Sequence, residues 1–130
     1  MSNAKPWMKY VSMPYRMGGN PRNGKSTDCI RLVLCVLEDA GLNPPAVERQ
    51  WYKWLAERNL EAIKADWFAL TEQTMHPEQY AMTLLPAEGD FCIAIVVDKG
   101  LLTVSASLDA VMWVPLHSLR PLNYRRLKNV

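Results

Sequence analysis

The hydrophobic period changes once along this chain, and that change most limits what the chain can fold into. From Asp28 to Ala40, Ile30, Val33, Leu34 and Leu37 fall at i, i+3, i+4, i+7, and Leu32, Cys35 and Val36 widen the apolar face into that of a buried helix. Thr27 or Asp28 can cap its start, Gly41 can end it, and Pro44-Pro45 forbids continuation. A second helical pattern starts near Ala46, with Val47, Trp51, Trp54 and Leu55 on one face. Leu60, Ile63, Trp67 and Leu70 carry it onward, as one bent helix or as two. Around Met75-His76-Pro77 the pattern breaks. Phe91 to Asp98 is then rich in β-branched residues, Lys99-Gly100 is a hairpin-turn candidate, and Leu101 to Ser107 reads as the return strand. Val111 to Val114 supplies a third strand and Tyr124 to Leu127 a last short one. Helices first and an antiparallel meander afterwards is an α+β order.

The chain has 130 residues, enough for one domain over 1–130 with a core that needs neither disulfides nor metals. Apolar residues make up 49% and charged residues 22%, which excludes a disordered chain. The longest apolar runs, Ile30 to Leu37 and Phe91 to Val97, fall far short of the roughly 20 residues of a spanning helix, so no membrane partner is expected. Met1 to Arg16 holds no continuous apolar stretch of a secretory signal, which gives a cytoplasmic origin. A net charge of +2 does not announce nucleic acid. Arg120, Arg125, Arg126 and Lys128 leave a basic C-terminus, read first as a solvated tail and, as a third functional reading, as a nucleic-acid-binding surface. Trp51, Trp54, Trp67 and Trp113 are assigned to the core. Three cysteines, at 29, 35 and 92, form neither a disulfide framework nor a CxxC metal pattern. No metal or cofactor is expected, and cysteine chemistry here would be nucleophilic.

The segment best suited to such chemistry is Pro14-Tyr15-Arg16-Met17-Gly18-Gly19-Asn20, followed by Gly24 and Thr27-Asp28-Cys29. Adjacent glycines open backbone conformations closed to other residues and let amides approach a ligand. A thiol on the next helix's first turn feels the positive end of its dipole. Arg22, Lys25 and Arg31 would add positive charge and lower the Cys29 pKa. Cys35, farther along the same helix, belongs to the core.

This segment resembles the signature of the NlpC/P60 family of papain-like cysteine peptidases, close to PYxWGG, a loop, then DCSGLV; here it reads PYRMGG and DCIRLV. Glu88-Gly89-Asp90 is similar to the family's PGD turn, Ile93 to Asp98 to its HVGIYxG strand, and Ser105-Ala106-Ser107 to its HAS-type strand, so the resemblance runs from Met13 to Leu127. It implies a papain-like fold, with the cysteine helix packed on an antiparallel sheet. It also implies peptide-bond chemistry on bacterial cell-wall stem peptides, beside D-glutamate, with Cys29 as nucleophile and Tyr15 and Asp28 binding the substrate's amino end.

The same alignment puts Cys92 where the family has its histidine base and Ser105 where it has the third polar residue. A thiol cannot accept the nucleophile's proton and return it to a leaving amine near neutral pH. Ile30-Arg31 replaces a Ser-Gly pair, bringing a bulky charged side chain toward substrate space. The remaining bases, His76 and His117, read as surface or capping residues off the strand that would face Cys29. The leading expectation is a catalytically inactive NlpC/P60-like domain acting as a structural or binding module. The resemblance suggests a bacteriophage tail, with virion proteins or a stem peptide as partners. The second is an active cysteine hydrolase with His76 or His117 as displaced base. The alignment carries a geometric expectation: Cys92 lies beside Cys29, within the roughly 4.4 to 6.8 Å between Cα atoms that a disulfide spans.

Overall fold

The computed structural model describes residues 5–87, 90–119 and 122–128. Three helices, α1 (Cys29–Asp39), α2 (Glu48–Ala56) and α3 (Leu60–Leu70), precede six strands: β1 (Thr71–Gln73), β2 (Met82–Ala87), β3 (Asp90–Val97), β4 (Gly100–Thr103), β5 (Met112–Pro115) and β6 (Arg125–Leu127). The α+β order read from the sequence is present. The strands form one antiparallel sheet in the order β1-β6-β2-β3-β4-β5. Two of them, β1 and β2, were not expected. Of the family-like PGD turn, Glu88 and Gly89 lie outside the described residues, as does Arg120.

Helix α1 starts where a side chain can take its first orphan amide: Asp28 accepts from the Arg31 N–H. It ends on Gly41, at φ 82°, with Gly41 N–H bonded to Glu38 O and Leu42 N–H to Leu37 O. The pattern between α2 and α3 resolves into two helices because Arg58 turns to φ 56° and Asn59 caps α3, accepting from the Ala62 N–H.

Alternation along β3 divides the core between the two sheet faces. Ile93, Ile95 and Val97, with Leu102 of β4, meet the buried face of α1 together with Trp51, Ile63 and Trp67. Ala94, Val96, Leu101 and Tyr124 form a smaller cluster on the other face, covered by Leu116, Leu119 and Leu122. Trp51 and Trp67 pack edge to face, and the Trp51 indole donates to Asp66.

The β3–β4 hairpin turns one residue earlier than expected, on Asp98 and Lys99, both at positive φ (50° and 65°), and Gly100 opens β4. The N-terminal turn Pro6–Tyr10 is clasped over this hairpin. The Trp7 indole donates to Asp98 and stacks on Trp113 with centroids 5.7 Å apart.

The C-terminal arginines are engaged within the fold. Arg125 donates to the Thr71 hydroxyl and carbonyl and lies over Phe68, while Arg126 pairs with Glu72 and Glu78. Among the described residues no helix is long and apolar enough to cross a membrane.

Candidate active site

The glycine-rich segment forms a closed loop rather than an open strap. Tyr15 bridges Thr27, Thr27 N–H donates to Pro14 O, and Arg16 N–H donates to Thr27 O. On its other side, Tyr15 N–H donates to Asp109 O and Pro14 bridges Ala110, fixing the loop to the connection between β4 and β5. Gly19 has no room for a side chain: a Cβ there would stand 2.7 Å from Ser26 Oγ and 3.0 Å from Arg16 O. Gly18 takes φ 78° and turns its amide onto Asp28, 2.7 Å from Oδ2.

Asp28 is the hub of the site. The residue is 2% exposed, and its carboxylate accepts from three elements: the Gly18 amide of the loop, the Arg31 amide of α1, and the Tyr52 hydroxyl of α2. Burial, and then the bond to Asp28, push the Tyr52 phenol above the ordinary tyrosine range. Nothing in the local sequence marks Tyr52 for this role, because helical spacing around Trp51 and Trp54 speaks only of packing.

Beside Asp28 opens a cavity of about 330 Å³. Tyr15, Asp28, Cys29 and Ser105, chosen from the sequence as site residues, all border it. The α2–α3 corner supplies a wall that sequence reasoning did not foresee, Leu55, Arg58 and Leu60. Ser105 is nearly buried, shares a hydroxyl contact of 3.1 Å with Ser107, and accepts from the Leu108 amide.

Cys29 and Cys92 are both buried, and their thiols are in hydrogen-bond contact. Cys92 also lies 3.4 Å from the Thr103 hydroxyl and donates to Val104 O, at the point where β4 ends. The neighbour that most affects Cys29 is therefore a second thiol and not an imidazole. His76 and His117 are exposed and do not border the cavity. None of the three cysteines is in a disulfide, and no metal-holding cluster of His, Cys, Asp and Glu occurs among the described residues.

Two electrostatic expectations need correction. The Cys29 thiol is pushed well above its ordinary value, not below it: the hydrogen bond with Cys92 and then burial raise it, against only the Ile93 backbone hydrogen bond lowering it. The cations that were to depress it are occupied or turned away. Arg22 donates to Asp39, Glu38 and the Tyr10 hydroxyl; Lys25 is exposed; and Arg31 lies over the Tyr52 ring. Arg31 accordingly does not enter the cavity, although Ile30 does. The Arg31 Nε is buried without a hydrogen-bond partner.

A buried, neutral thiol is a poor nucleophile. Iodoacetamide at pH 7.5 is expected to alkylate Cys29 on the order of a hundredfold more slowly than an exposed cysteine peptide. Peptide mapping of a labelling time course measures this, and a Cys29 rate matching the peptide's would show that the thiol is activated after all.

No family model, curated protein or solved structure matches this chain.

Proposed function

We propose that this chain is a papain-like domain of NlpC/P60 type whose cysteine site binds without catalysing, serving as a structural or peptide-binding module. The observation that carries the reading is the partner of Cys29: a second thiol, Cys92, where acyl transfer would need a base. A thiol at the start of a helix, behind a glycine loop and packed on an antiparallel sheet, supports the papain-like architecture. So does the convergence of Tyr15, Asp28 and Ser105 on one cavity.

The ligand this reading assigns is a cell-wall stem peptide containing D-glutamate. Tyr15 and the Asp28 carboxylate would meet its amino end and the exposed Arg58 guanidinium a carboxylate, while Leu55, Ile30 and Leu60 supply apolar wall. A bacteriophage tail, with other virion proteins as partners, is the setting the resemblance suggests. The hydrolase reading requires a base at Cys29, and the two histidines lie away from the cavity.

The test is incubation of the full chain with a synthetic stem peptide, followed by chromatography for cleavage and by NMR for binding. Intact peptide, with shifted amide resonances confined to Tyr15, Cys29, Arg58 and Ser105, is the expected result. Cleavage that disappears in Cys29→Ala would overturn the non-catalytic reading. Intact peptide with no shifted resonance would remove the peptide and leave a structural role.

A further inference from the structure

We propose that Cys29 and Cys92 are an oxidisable pair, closing to a disulfide that ties the first turn of α1 to β3 across the floor of the cavity. This goes beyond the binding reading and stands or falls independently of it.

Three observations carry it. The two cysteines converge on Val104, although they come from elements far apart in the chain: Cys29 borders the cavity together with Val104, and the Cys92 thiol donates to Val104 O at 3.7 Å. By strand alternation Cys92 goes with Ala94 and Val96, on the sheet face away from α1; its bonds to Thr103 and Val104 place the thiol at the margin where β4 stops, and there it meets Cys29. Second, the pair is reachable: Cys29 borders a cavity wide enough for a small oxidant, while Cys92 behind it is 4% exposed. An oxidant therefore meets Cys29 first and finds Cys92 placed to resolve the product. Third, the remaining cysteine does not compete. Cys35 lies six positions along α1 from Cys29, a turn of about 240° at 3.6 residues per turn, and so projects from a different side of the helix. It borders a separate surface depression with Arg22, Arg31 and Glu38.

With hydrogen peroxide as oxidant the step balances. The small fraction of Cys29 present as thiolate attacks a peroxide oxygen, so the step is slow; the O–O bond breaks, the departing hydroxide takes up the thiol's proton and leaves as water, and Cys29 becomes a sulfenic acid. The Cys92 sulfur then attacks the Cys29 sulfur and displaces the hydroxyl group, which leaves with the Cys92 proton as a second water. Two thiols and one peroxide yield one disulfide and two waters. The bridge removes the thiol from the cavity floor and cross-links helix to sheet, so the oxidised protein should melt higher than the reduced one.

The experiment treats the 130-residue chain with hydrogen peroxide and follows thiol count under denaturing conditions, peptide-map mass spectrometry and melting temperature. Expected are a fall from three titratable thiols to one, a Cys29–Cys92 linked peptide, and a rise in melting temperature of several degrees that dithiothreitol reverses. Cys35→Ser should keep the linkage and the shift, and Cys92→Ser should lose both. Sulfinic or sulfonic acid on Cys29 with Cys92 still a thiol would overturn the proposal, as would Cys35 in the bridge or an unchanged thiol count. Should Cys92→Ser fail to fold, the wild-type and Cys35→Ser peptide maps decide the matter.

Discussion

Asp28→Ala is expected to destabilise the fold by about 4 kcal/mol, the largest single-residue effect in the site. Removal of the carboxylate leaves three donors without their acceptor: the Gly18 amide, the Arg31 amide and the Tyr52 hydroxyl. Each unmade buried hydrogen bond costs about 1 to 3 kcal/mol, and part of the loss is recovered because Gly18 and Arg31 lie toward solvent. Asp28→Asn keeps the shape and one acceptor oxygen, so about half the loss is expected there. Tyr52→Phe removes a single donor and should cost about 1 kcal/mol. Urea denaturation of the three variants measures the series. A loss below about 1 kcal/mol for Asp28→Ala would show that the loop, α1 and α2 do not depend on this carboxylate.

The second large effect lies at the β3–β4 hairpin. Gly100→Ala is expected to cost about 3 kcal/mol, because a Cβ at this position would stand 2.3 to 2.5 Å from atoms of the Trp113 indole. The ring has little freedom to yield. It stacks on Trp7, and its Nε1 donates to Val97 O at 2.9 Å. The variant must move Trp113 and with it the clasp of the N-terminal turn. The double variant Gly100→Ala/Trp113→Ala gives the decisive comparison: if the clash is the cause, adding Gly100→Ala to Trp113→Ala should cost less than about 1 kcal/mol. An equal cost in both backgrounds would place the effect in the backbone.

This glycine also shows why parts of the fold were legible in the sequence and others were not. Lys99-Gly100 reads as a turn because glycine is the residue that most easily takes positive φ. In the structure Asp98 and Lys99 take the positive φ values, and the glycine is needed for the approach of a tryptophan distant in sequence. No local rule reports such an approach. Helix α1 was legible at both ends because its signals are local: a capping carboxylate before it and a left-handed glycine after it. Strand β1 was not, since it is three residues long, follows α3 directly, and exposes Glu72 and Gln73. Strand β2 was hidden by Met82, Leu84 and Leu85, which do not alternate cleanly with polar residues, and by Pro86.

In the site, the glycine loop, Asp28 and Cys29 could be chosen because they lie in one short stretch with a chemical logic, whereas Cys92 and Ser105 were reached only through the resemblance to a known family. Tyr52 and Arg58 could not, because tertiary packing alone brings the α2–α3 corner to the cavity. The sign of the Cys29 pKa shift was misread for the same reason. Nearness in sequence suggested cations, while the folded neighbours are a thiol, a backbone amide and a buried carboxylate.

The attachment of the glycine loop to Asp109 and Ala110 bears on the order in which the molecule assembles. Hairpins such as β3–β4 close short loops and form early, whereas joining residues 14–15 to 109–110 encloses most of the chain and carries the larger entropy loss. That closure yields little until β4 and β5 are paired and can hold the partner segment in place. The cavity beside Cys29 is therefore expected to form late in folding, once β4 and β5 are paired and the glycine loop has a partner segment to close against.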